Sequence, residues 1–318
     1  MLDLAIIIVN YNTCALLRDC LRSVYASRGA LRYAVCVVDN ASTDGSADMV
    51  RREFPQAVLM ESRYNGGYAY ANNLGLRHFG FADPSSPATA APSDLPRYVL
   101  LLNPDTVVPP DAFATLLDFM DAYADAGVVG PKLVRPDGSL DLACRRSFPT
   151  PEISLWRMIG LSRLFPRTRR FGRYNMTYID PDQLIEVDSV VGAFMWVRGE
   201  AIRQVGLLDE AFWMYGEDLD WAKRIKDAGW RVWYNPAVQV LHVKEAASRR
   251  SRRARVEFYR AMAIFYRKHY AATTPFWLHG LILAGIALKG GLDVGQRVLS
   301  GQWRALEEGQ QLQGEGRS

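Results

Sequence analysis

The first 105 residues alternate apolar strand-like segments with amphipathic helical segments, and this alternation constrains the fold more than any other feature of the chain. Apolar residues, many of them β-branched, fill four short segments that predict strands at residues 4–9, 33–38, 58–61 and 98–102. Helical periodicity predicts helices from residue 13 and at residues 46–54, 69–79 and 111–123. Strands joined by crossover helices form a mainly parallel sheet covered on both faces. The sequence therefore predicts an α/β fold.

Polar residues follow each of these four strands at the point where the strand ends. In open α/β sheets, ligands bind beyond the carboxyl ends of the strands. The residues that this rule brings together are Asn10 and Asn12, Asp39 and Asn40, Asn65 to Gly67, and Asn103 to Asp105. Their chemistry predicts one ligand site at this edge of the sheet.

The second half of the chain is less regular. Its pattern predicts strands at residues 187–197, 230–234 and 238–243, and a helix at residues 217–228. From residue 248 the chain becomes a basic helical segment, then an apolar segment at residues 276–288, then a Gln/Glu/Gly-rich tail. We therefore expect an α/β domain at residues 1–245 and a helical region at residues 246–318, with a flexible tail after about residue 301.

Positive charge is concentrated in two segments, although the formal net charge is only +4. Residues 249–255 contain five arginines, and residues 156–173 are also rich in arginine. Such patches bind nucleic acid, anionic lipid or phosphorylated substrates. Because no nucleic-acid-binding motif accompanies them, we expect no nucleic-acid partner, and the phosphate and membrane interpretations are favoured.

The cysteines and the apolar segments bear on the compartment. Cys14, Cys20, Cys36 and Cys144 form no CxxC pair, which favours free, buried thiols in a reducing compartment. The N-terminal segment lacks the basic region and cleavage site of a signal peptide. The apolar segment at residues 276–288 is shorter than the roughly 20 residues that span a bilayer. These features predict a cytoplasmic protein.

Two segments of the predicted ligand site carry side chains suited to binding. Asn103 and Asp105 project to the same side of the chain after a buried strand, and their oxygens suit Mg²⁺ or Mn²⁺ with substrate phosphates completing the shell. Asp39 can accept from a nucleobase or a ribose hydroxyl, and Gly66 and Gly67 allow phosphate to approach a helix N-terminus. Each segment also has a purely structural interpretation as a polar turn or helix cap.

Two candidates come from the second half of the chain. Glu217, Asp218 and Asp220 begin a predicted helix, where carboxylates are stabilised by the helix dipole and where one of them can act as a general base. His242 lies in an apolar strand, a position in which a single histidine is more often structural than a ligand. Neither candidate establishes a site by itself.

Six segments taken together, in this order, resemble the glycosyltransferases of family 2, and within that family the rhamnosyltransferase-like branch. They are the segments at residues 9–12, 38–45, 65–75, 102–105, 192–195 and 216–220, with the sequences VNYN, VDNASTDG, NGGYAYANNLG, LNPD, GAFM and GEDLD. The resemblance covers about residues 4–242. It implies the GT-A fold, a Rossmann-like, mainly parallel sheet flanked by helices, here with a C-terminal helical extension.

The resemblance implies that one sugar moves from a nucleotide diphosphate donor to an acceptor hydroxyl, with Mg²⁺ or Mn²⁺ as cofactor. It implies that Asp105 contacts the metal, that His242 is a further metal or diphosphate contact, and that Asp218 is the base. The implied donor-binding residues are Asn10, Asn12, Asp39, Asn65, Gly67, Asn73 and Asn103, of which Asp39 contacts the pyrimidine base. The implied acceptor side comprises Gly192, Ala193 and Glu217.

Three differences from the family pattern refine these expectations. Asn103 replaces the first aspartate of the family's DxD motif, which lowers the charge of the metal site. The residues that follow His242 lack the glycine that relatives tend to have there, so the loop after His242 differs from the family pattern. The QxxRW motif of processive synthases is absent, which predicts one transfer per encounter.

The resemblance also implies the stereochemistry and the donor. The family's reaction inverts the anomeric carbon, and the branch suggests dTDP-rhamnose or a UDP-sugar as donor.

The resemblance also predicts the acceptor and the surroundings. Enzymes of this kind often act on glycan or polyprenyl-linked acceptors in cell-envelope synthesis. Arginines at residues 249–255, followed by aromatic and apolar residues, therefore predict peripheral binding to the anionic inner face of the cell membrane. The alternative is that the C-terminal helices pack on the protein or form a homodimer contact.

Two functions other than transfer of a sugar require sequence features that differ from those of this chain. A nucleotidyltransferase should have a Gly-rich, Arg- or Lys-bearing loop after the first strand, whereas residues 9–13 contain no glycine and no lysine. A non-catalytic, membrane-bound scaffold with the same fold should lose Asp105 or Asp218, and both are present. A glycosyltransferase is the function that the sequence favours.

Overall fold

The computed structural model describes residues 2–86, 91, 93–243, 252–291 and 294–295, and their strands form one mixed sheet. The strands are β1 Leu4–Asn10, β2 Tyr33–Asp39, β3 Val58–Glu61, β4 Tyr98–Leu102, β5 Thr106–Val107, β6 Ala126–Val134, β7 Ile185–Val187, β8 Phe194–Arg198 and β9 Arg231–His242. Their order is β3-β2-β1-β4-β8-β6-β9-β5, with β7 also paired to β9.

The half of the sheet formed by β3, β2, β1 and β4 is parallel throughout. Strand β1 is buried along its whole length, as its run of aliphatic residues requires. Beyond β4 the sheet becomes mixed, because β8 runs antiparallel to both β4 and β6, while β6 and β9 are parallel. The predicted mainly parallel α/β sheet is confirmed.

Ten α-helices lie among the described residues. They are α1 Cys14–Tyr25, α2 Ser46–Glu53, α3 Tyr68–His78, α4 Ala112–Ala122, α5 Pro151–Met158, α6 Leu161–Leu164, α7 Gly199–Val205, α8 Glu217–Asp227, α9 Arg252–His269 and α10 Phe276–Gly290. Helix α1 buries the face that its sequence periodicity predicts. The buried residues, which follow helical spacing, are Leu17, Cys20, Leu21 and Val24.

The strand predicted at residues 187–197 is confirmed at residue 187 and at residues 194–197 and is wrong between them, because residues 188–193 leave the sheet between β7 and β8. The backbone of Ser189 bonds instead to Arg146, whose N–H donates to the Ser189 carbonyl at 2.9 Å. The two strands predicted near the end of the domain are a single strand, β9, whose pairing with β6 is irregular between Asn235 and Gln239. The extruded segment at residues 188–193 carries part of the candidate site.

The contacts divide the chain into two compact units. The first unit comprises Met1–Asp209 and Asp218–Glu245, and the second comprises Glu210–Glu217 and Ala246–Ser318. The second unit therefore also contains Glu210–Glu217, which the predicted boundary near residue 245 assigned to the α/β domain. The division into two folding domains stays a prediction.

Within the second unit, α9 and α10 pack against each other through a small apolar core. Ala263, Ile286 and Val294 are buried there, and the guanidinium of Arg253 stacks 3.8 Å from the ring centroid of Trp213. The predicted C-terminal helical extension is confirmed. Among the described residues, no helix has the length and apolar character needed to cross a membrane. Arg249, Arg250 and the tail after residue 301 lie outside the described residues.

The cysteines are free thiols, and Cys20, Cys36 and Cys144 are buried. Burial raises the pKa of the Cys20 thiol to about 12. The prediction of unpaired, largely buried cysteines is confirmed, and the compartment stays a prediction.

Candidate active site

The carboxyl ends of β1 and β2 bring Asn10 and Asp39 together as cross-strand neighbours. Both side chains are buried, and the Asn10 amide donates to Asp39 Oδ2 at 3.1 Å and to Ser42 Oγ at 3.0 Å. The other Asp39 oxygen accepts the Ser42 N–H at 2.8 Å. The side-chain oxygen Oδ1 of Asn10 accepts from the Thr13 hydroxyl at 2.6 Å. Asn10 therefore fixes the orientation of the Asp39 carboxylate.

Asn12 holds the loop that follows Asp39. It adopts a left-handed conformation with a φ of 54°, which asparagine tolerates better than most residues. Its N–H donates to Ser42 Oγ at 2.9 Å, and its side-chain oxygen accepts the Thr43 N–H at 2.7 Å. The geometry gives Asn12 a supporting position behind the loop, and its donor-binding role stays a prediction.

Asn40 joins the loop after β2 to the glycine loop before α3. Its amide donates to Asn65 Oδ1 at 2.9 Å and to the Gly67 carbonyl at 3.2 Å, and its oxygen accepts the Gly66 N–H at 3.1 Å. Gly67 precedes α3 with a φ of 91°, a conformation that favours glycine. Asn65 and Gly67 therefore lie beside the loop of Asp39, as the strand order predicts.

Asn73 has a different environment from that of the other predicted donor residues. It is buried within α3, where its amide donates to the Leu208 carbonyl at 2.9 Å and its oxygen accepts the Leu208 N–H at 3.0 Å. This pair ties the helix to the segment before α8. The donor-binding role of Asn73 stays a prediction, and its contacts in the structure are those of a packing amide.

Strand β4 ends in the Asn103–Asp105 turn, and β5 then pairs antiparallel with the end of β9. This pairing places Thr106 opposite His242, and the Val243 N–H donates to the Asp105 carbonyl at 2.9 Å. His242 Nε2 lies 3.4 Å from Asp105 Oδ1 as a result. The two residues that the resemblance assigns to the metal are neighbours in the structure.

His242 is held on its other side by Asp141, a residue that the sequence analysis did not single out. Its Nδ1 lies 2.9 Å from Asp141 Oδ2, and both side chains are buried. Burial by itself would lower the pKa of His242, but the hydrogen bonds and charges of Asp105 and Asp141 raise it above its usual value. A histidine oriented in this way presents Nε2 toward Asp105 when Nδ1 carries the proton.

The arrangement of Asp105 and His242 fits a divalent metal with two protein ligands. A separation of 3.4 Å between Asp105 Oδ1 and His242 Nε2 suits two ligands of one ion at about 2.1 Å each. Among the described residues, no group of three or more His, Cys, Asp or Glu side chains is arranged to hold a metal. An ion here would complete its shell with phosphate oxygens and water, as Mg²⁺ commonly does.

The Asp218 carboxylate, at the start of α8, is buried in an ion pair with Arg146. Arg146 Nη2 donates to Asp218 Oδ2 at 2.8 Å and to the Val190 carbonyl at 2.6 Å. Burial alone would lower the pKa of Arg146, but the charge of Asp218 raises it above its ordinary value. Asp218 Oδ2 also accepts the Gly192 N–H at 3.0 Å. Arg146 and Asp218 therefore fix the extruded segment before β8.

Gly192 and Ala193 connect Asp218 to the other two parts of the site. The Gly192 carbonyl accepts from the Tyr68 hydroxyl at 2.7 Å, at the start of α3, and the Ala193 carbonyl accepts the Asn103 N–H at 2.9 Å. A Cβ on Gly192 would lie 2.9 Å from the Tyr68 oxygen, so a larger residue at this position would displace the Tyr68 side chain. One chain of hydrogen bonds thus links Asp218 with the turn of Asp105 and with the glycine loop.

Glu217, predicted on the acceptor side, precedes Asp218 as the first residue of α8 and is buried. Two residues of the site, Asp141 and Arg146, have no signal in the sequence that marks them as functional candidates. Asn40 and Tyr68 lie inside the motifs given above, although neither has an individual role assigned there. Arg146 and Asp141 belong to an irregular segment, and their partners are distant in sequence, so no local pattern identifies them.

The sequence matches a known protein family. The family model of glycosyl transferase family 2 matches residues 5–205, which include β1 to β4, the Asn103–Asp105 turn and the segment of Gly192. Asp218 and His242 lie after the matched residues. The match covers more than half of the chain.

Two curated relatives are rhamnosyltransferases. The N-acetylglucosaminyl-diphospho-decaprenol L-rhamnosyltransferase of Mycobacterium tuberculosis is 30% identical over 211 residues, which are 66% of this chain and 66% of the relative. The rhamnosyltransferase WbbL of Escherichia coli is 29% identical over 233 residues, 69% of this chain and 81% of the relative. The chain thus spans just under two thirds of the length of the mycobacterial relative.

A solved structure shares the fold. The mannosyltransferase PcManGT of Pyrobaculum calidifontis, in complex with GDP-Man and Mn²⁺, superposes with a TM-score of 0.52 at 18% identity, covering 96% of this chain and 80% of that one. This likeness concerns the GT-A fold, which confirms the predicted fold class. The family match and these relatives show that the chain belongs to glycosyl transferase family 2, within which it resembles the rhamnosyltransferases.

Proposed function

We propose that this protein transfers one sugar, with inversion and with the help of a divalent metal, from a nucleoside diphosphate donor to a lipid-linked acceptor of cell-envelope glycan synthesis. The observation that carries the proposal is the chain of hydrogen bonds from Asp218 through Gly192 and Ala193 to Asn103. It couples the acidic residue of α8 to the turn of Asp105.

The donor's nucleoside binds at the ends of β1 and β2. Asp39 is the base-contacting residue, because its carboxylate is fixed by Asn10 and by the Ser42 N–H at this edge of the sheet. Asn65 and Gly67 shape the adjoining loop, where Gly67 adopts a positive φ of 91° at the start of α3. Asn12 supports the Asp39 loop from behind, and Asn73 fixes α3, which follows the glycine loop, to Leu208.

The donor's diphosphate binds at Asp105 and His242. Mg²⁺ or Mn²⁺ bound there would neutralise the charge that develops on the leaving nucleoside diphosphate. Asp105 Oδ1 and His242 Nε2 would hold the metal, and Asp141 orients the imidazole through Nδ1. Asn103, in the place of a first aspartate, contributes its backbone N–H to Ala193 and keeps the turn in position.

Asp218 acts as the base that removes the proton of the acceptor hydroxyl. Direct displacement then forms the new glycosidic bond as the bond to the diphosphate breaks, so one carboxylate suffices and no sugar–enzyme intermediate forms. Gly192 and Ala193 form the acceptor side, and the acceptor role of Glu217 stays a prediction. Arg146 holds the carboxylate of Asp218 at 2.8 Å, which fixes its position before the acceptor binds.

The donor and acceptor classes rest on the relatives. A rhamnosyltransferase of an N-acetylglucosaminyl-diphospho-polyprenol is among them, which supports dTDP-rhamnose as donor and a polyprenyl-diphosphate glycan as acceptor. A UDP-hexose is the second donor candidate. One sugar per encounter is the expected extent of transfer.

Peripheral attachment to an anionic membrane completes the proposal. Helix α10 buries one side against α9, and its other side exposes an apolar stripe in which Leu288 is 84% exposed. Trp277, Leu281 and Ala284 lie on the same stripe at helical spacing. Aromatic and apolar groups beside the arginines of α9 suit the headgroup region of a bilayer.

The test is a panel of nucleotide sugars assayed for metal-dependent release of the nucleoside diphosphate, first without acceptor and then with a short polyprenyl-diphosphate N-acetylglucosamine. We expect one pyrimidine nucleotide sugar to be hydrolysed slowly and to be used much faster with acceptor, giving a product longer by a single sugar. Binding of nucleotide without turnover for any donor would instead support a non-catalytic scaffold. Products longer by several sugars would contradict single transfer.

A further inference from the structure

Residues 149–173 form a basic arm on the first unit, between the short 3-10 helix Leu142–Cys144 and β7. The arm contains α5 and α6 and carries one acidic residue, Glu152. Its arginines all expose their side chains: Arg157, Arg163, Arg167, Arg169, Arg170 and Arg173. Glu152 is already engaged by Arg170 at 3.5 Å, so the surface of the arm is strongly positive.

The same arm exposes large apolar side chains between these arginines. Leu164 is 69% exposed and Ile159 57%, and Leu155 and Phe165 are also exposed. The arm has its own packing, because the Trp156 and Phe171 rings meet edge to face at 5.3 Å. These apolar groups are therefore presented outward by an ordered segment, and such patches mark interaction sites.

The arm is anchored next to the proposed base. The chain leaves for the arm just after Arg146 and returns at Tyr174, where the Ser147 N–H donates to the Tyr174 carbonyl at 2.8 Å. The Arg157 guanidinium stacks 3.8 Å from the centroid of the Tyr174 ring. Because Arg146 pairs with Asp218 at 2.8 Å, the base of the arm lies within a few residues of the acceptor side.

The combination of charge and apolar surface identifies the partner. A free phosphate or a soluble glycan phosphate would need the arginines but would leave Ile159 and Leu164 in water. Anionic headgroups above an acyl boundary satisfy both, since arginine attracts the headgroups while apolar side chains enter the boundary. We propose that residues 149–173 are a docking surface for an anionic lipid bilayer, which presents the acceptor's diphosphate-linked sugar to Asp218.

This inference rests on the proposed lipid-linked acceptor, but its test does not depend on activity. The full-length protein is cosedimented with phosphatidylcholine vesicles with or without phosphatidylglycerol, at low and at high salt. Replacing Arg163, Arg167 and Arg169 together by Gln should weaken partitioning onto the anionic vesicles by about 100-fold at low salt, from about a fivefold contribution per arginine. High salt should weaken wild-type binding in the same direction.

A matched control removes three exposed arginines elsewhere on the first unit, Arg28, Arg52 and Arg203, and should change partitioning much less. The double variant I159S/L164S should also bind less, because a bilayer recognises the apolar groups. An equal loss of vesicle partitioning in the control triple variant would show that net charge alone explains the effect, and it would overturn the inference. Wild-type binding by I159S/L164S, with complete release by soluble pyrophosphate at constant ionic strength, would identify a phosphate site and overturn it as well.

Donor hydrolysis without acceptor separates this inference from the proposed function. The arm variants should hydrolyse the nucleotide sugar at the wild-type rate, because the replaced side chains lie outside the donor site. Normal hydrolysis with unchanged vesicle binding would refute the docking surface and leave the glycosyltransferase proposal intact. Absent hydrolysis in the wild type, with arm-dependent vesicle binding, would refute the proposed reaction and leave the docking surface intact.

Discussion

Arg146 Nη2 lies 2.8 Å from Asp218 Oδ2, and the two side chains form a buried ion pair. A buried charge that loses its partner destabilises a protein by about 3–5 kcal/mol, whereas removal of both charges is tolerated much better. Asp218 therefore has two effects to separate, one on the fold through Arg146 and one on the reaction as the proposed base. A single substitution of Asp218 measures their sum.

The first prediction concerns Asp218→Asn, which keeps the shape of the side chain and removes its charge. We expect kcat to fall by ~10²–10⁴, the usual contribution of a general base, with little change in donor affinity. We also expect a lower free energy of unfolding, because Arg146 is left buried without a counter-charge. Initial rates and denaturant unfolding measure the two effects.

Two further variants distinguish catalysis from stability. R146M/D218N should recover much of the lost stability without recovering kcat, because both charges are removed. Asp220→Asn is the matched control, since Asp220 is a fully buried carboxylate on the same helix and pairs with Arg224 at 2.9 Å. It should lose stability and keep most of its kcat in the remaining folded protein. A D218N protein with normal turnover would show that the base is another residue.

The second prediction concerns the metal site. Outer carboxylates that orient a ligating histidine typically contribute 10–100-fold to metal affinity. Asp141→Asn should therefore weaken Mn²⁺ binding by about that factor, measured by titration calorimetry with the nucleoside diphosphate present. Asp105→Ala should abolish both Mn²⁺ binding and turnover while the protein stays folded.

Asp137 supplies the control for Asp141. It lies in the preceding turn, and its carboxylate bonds to Ser139 at 2.6 Å without contacting His242. Asp137→Asn should leave Mn²⁺ affinity unchanged. Full wild-type activity in EDTA would rule out a metal mechanism altogether.

Much of the parallel half of the fold was predictable, because short-range periodicity determines it. Strands β3 and β4 match their predicted bounds, and β1 and β2 differ by one residue at one end, since their apolar runs end at polar residues. The same polar residues, Asp39 and the Asn103–Asp105 turn, mark the site, because the carboxyl ends of parallel strands meet at one edge.

The mixed half was less predictable, because long-range contacts determine it. The segment at residues 188–193 is apolar enough for a strand, but Arg146 draws its backbone out of the sheet through bonds to Ser189 and Val190. Asp141 reaches His242 across 101 residues of sequence. Such pairs have no signature in a single sequence, and so the supports of Asp218 and His242 were found only in the structure.

The third prediction concerns the nucleobase. A ligand that binds the native state raises the apparent stability, by about 2.7 kcal/mol when it is present at a hundred times its Kd. We expect dTDP or UDP to raise the melting temperature of the protein and GDP and CDP to raise it less. Asp39→Asn should reduce the shift that the nucleotide induces, measured from the variant's own melting temperature.

Asp44→Asn is the control for Asp39→Asn within the same loop. Asp44 accepts the Cys14 N–H at 2.8 Å and is exposed, so that its replacement alters the loop without altering the Asp39 carboxylate. Its nucleotide-induced shift should resemble that of the wild type. Stabilisation by GDP alone would contradict the assignment of Asp39 to a pyrimidine base.

The last prediction concerns helix α10. One side of this helix packs on α9 through Ile282, Leu283 and Ile286, and the other side exposes the stripe of Trp277, Leu281, Ala284 and Leu288. Because the stripe residues do not contribute to the packed side, polar substitutions there should leave the fold intact. If the stripe enters the headgroup region, L281S/L288S should weaken cosedimentation with anionic vesicles by about 10-fold or more, since each buried methylene contributes ~0.8 kcal/mol.

V58S/L184S is the matched control, because it also replaces two exposed aliphatic residues by serine, but on the first unit. It should bind vesicles as the wild type does. Equal binding by L281S/L288S and wild type would exclude the stripe as a membrane contact. Sedimentation velocity could instead show that L281S/L288S changes a dimer to a monomer while vesicle binding is unchanged. That result would identify the stripe as a contact between two copies of the chain, because the second copy would bury the apolar area of the stripe.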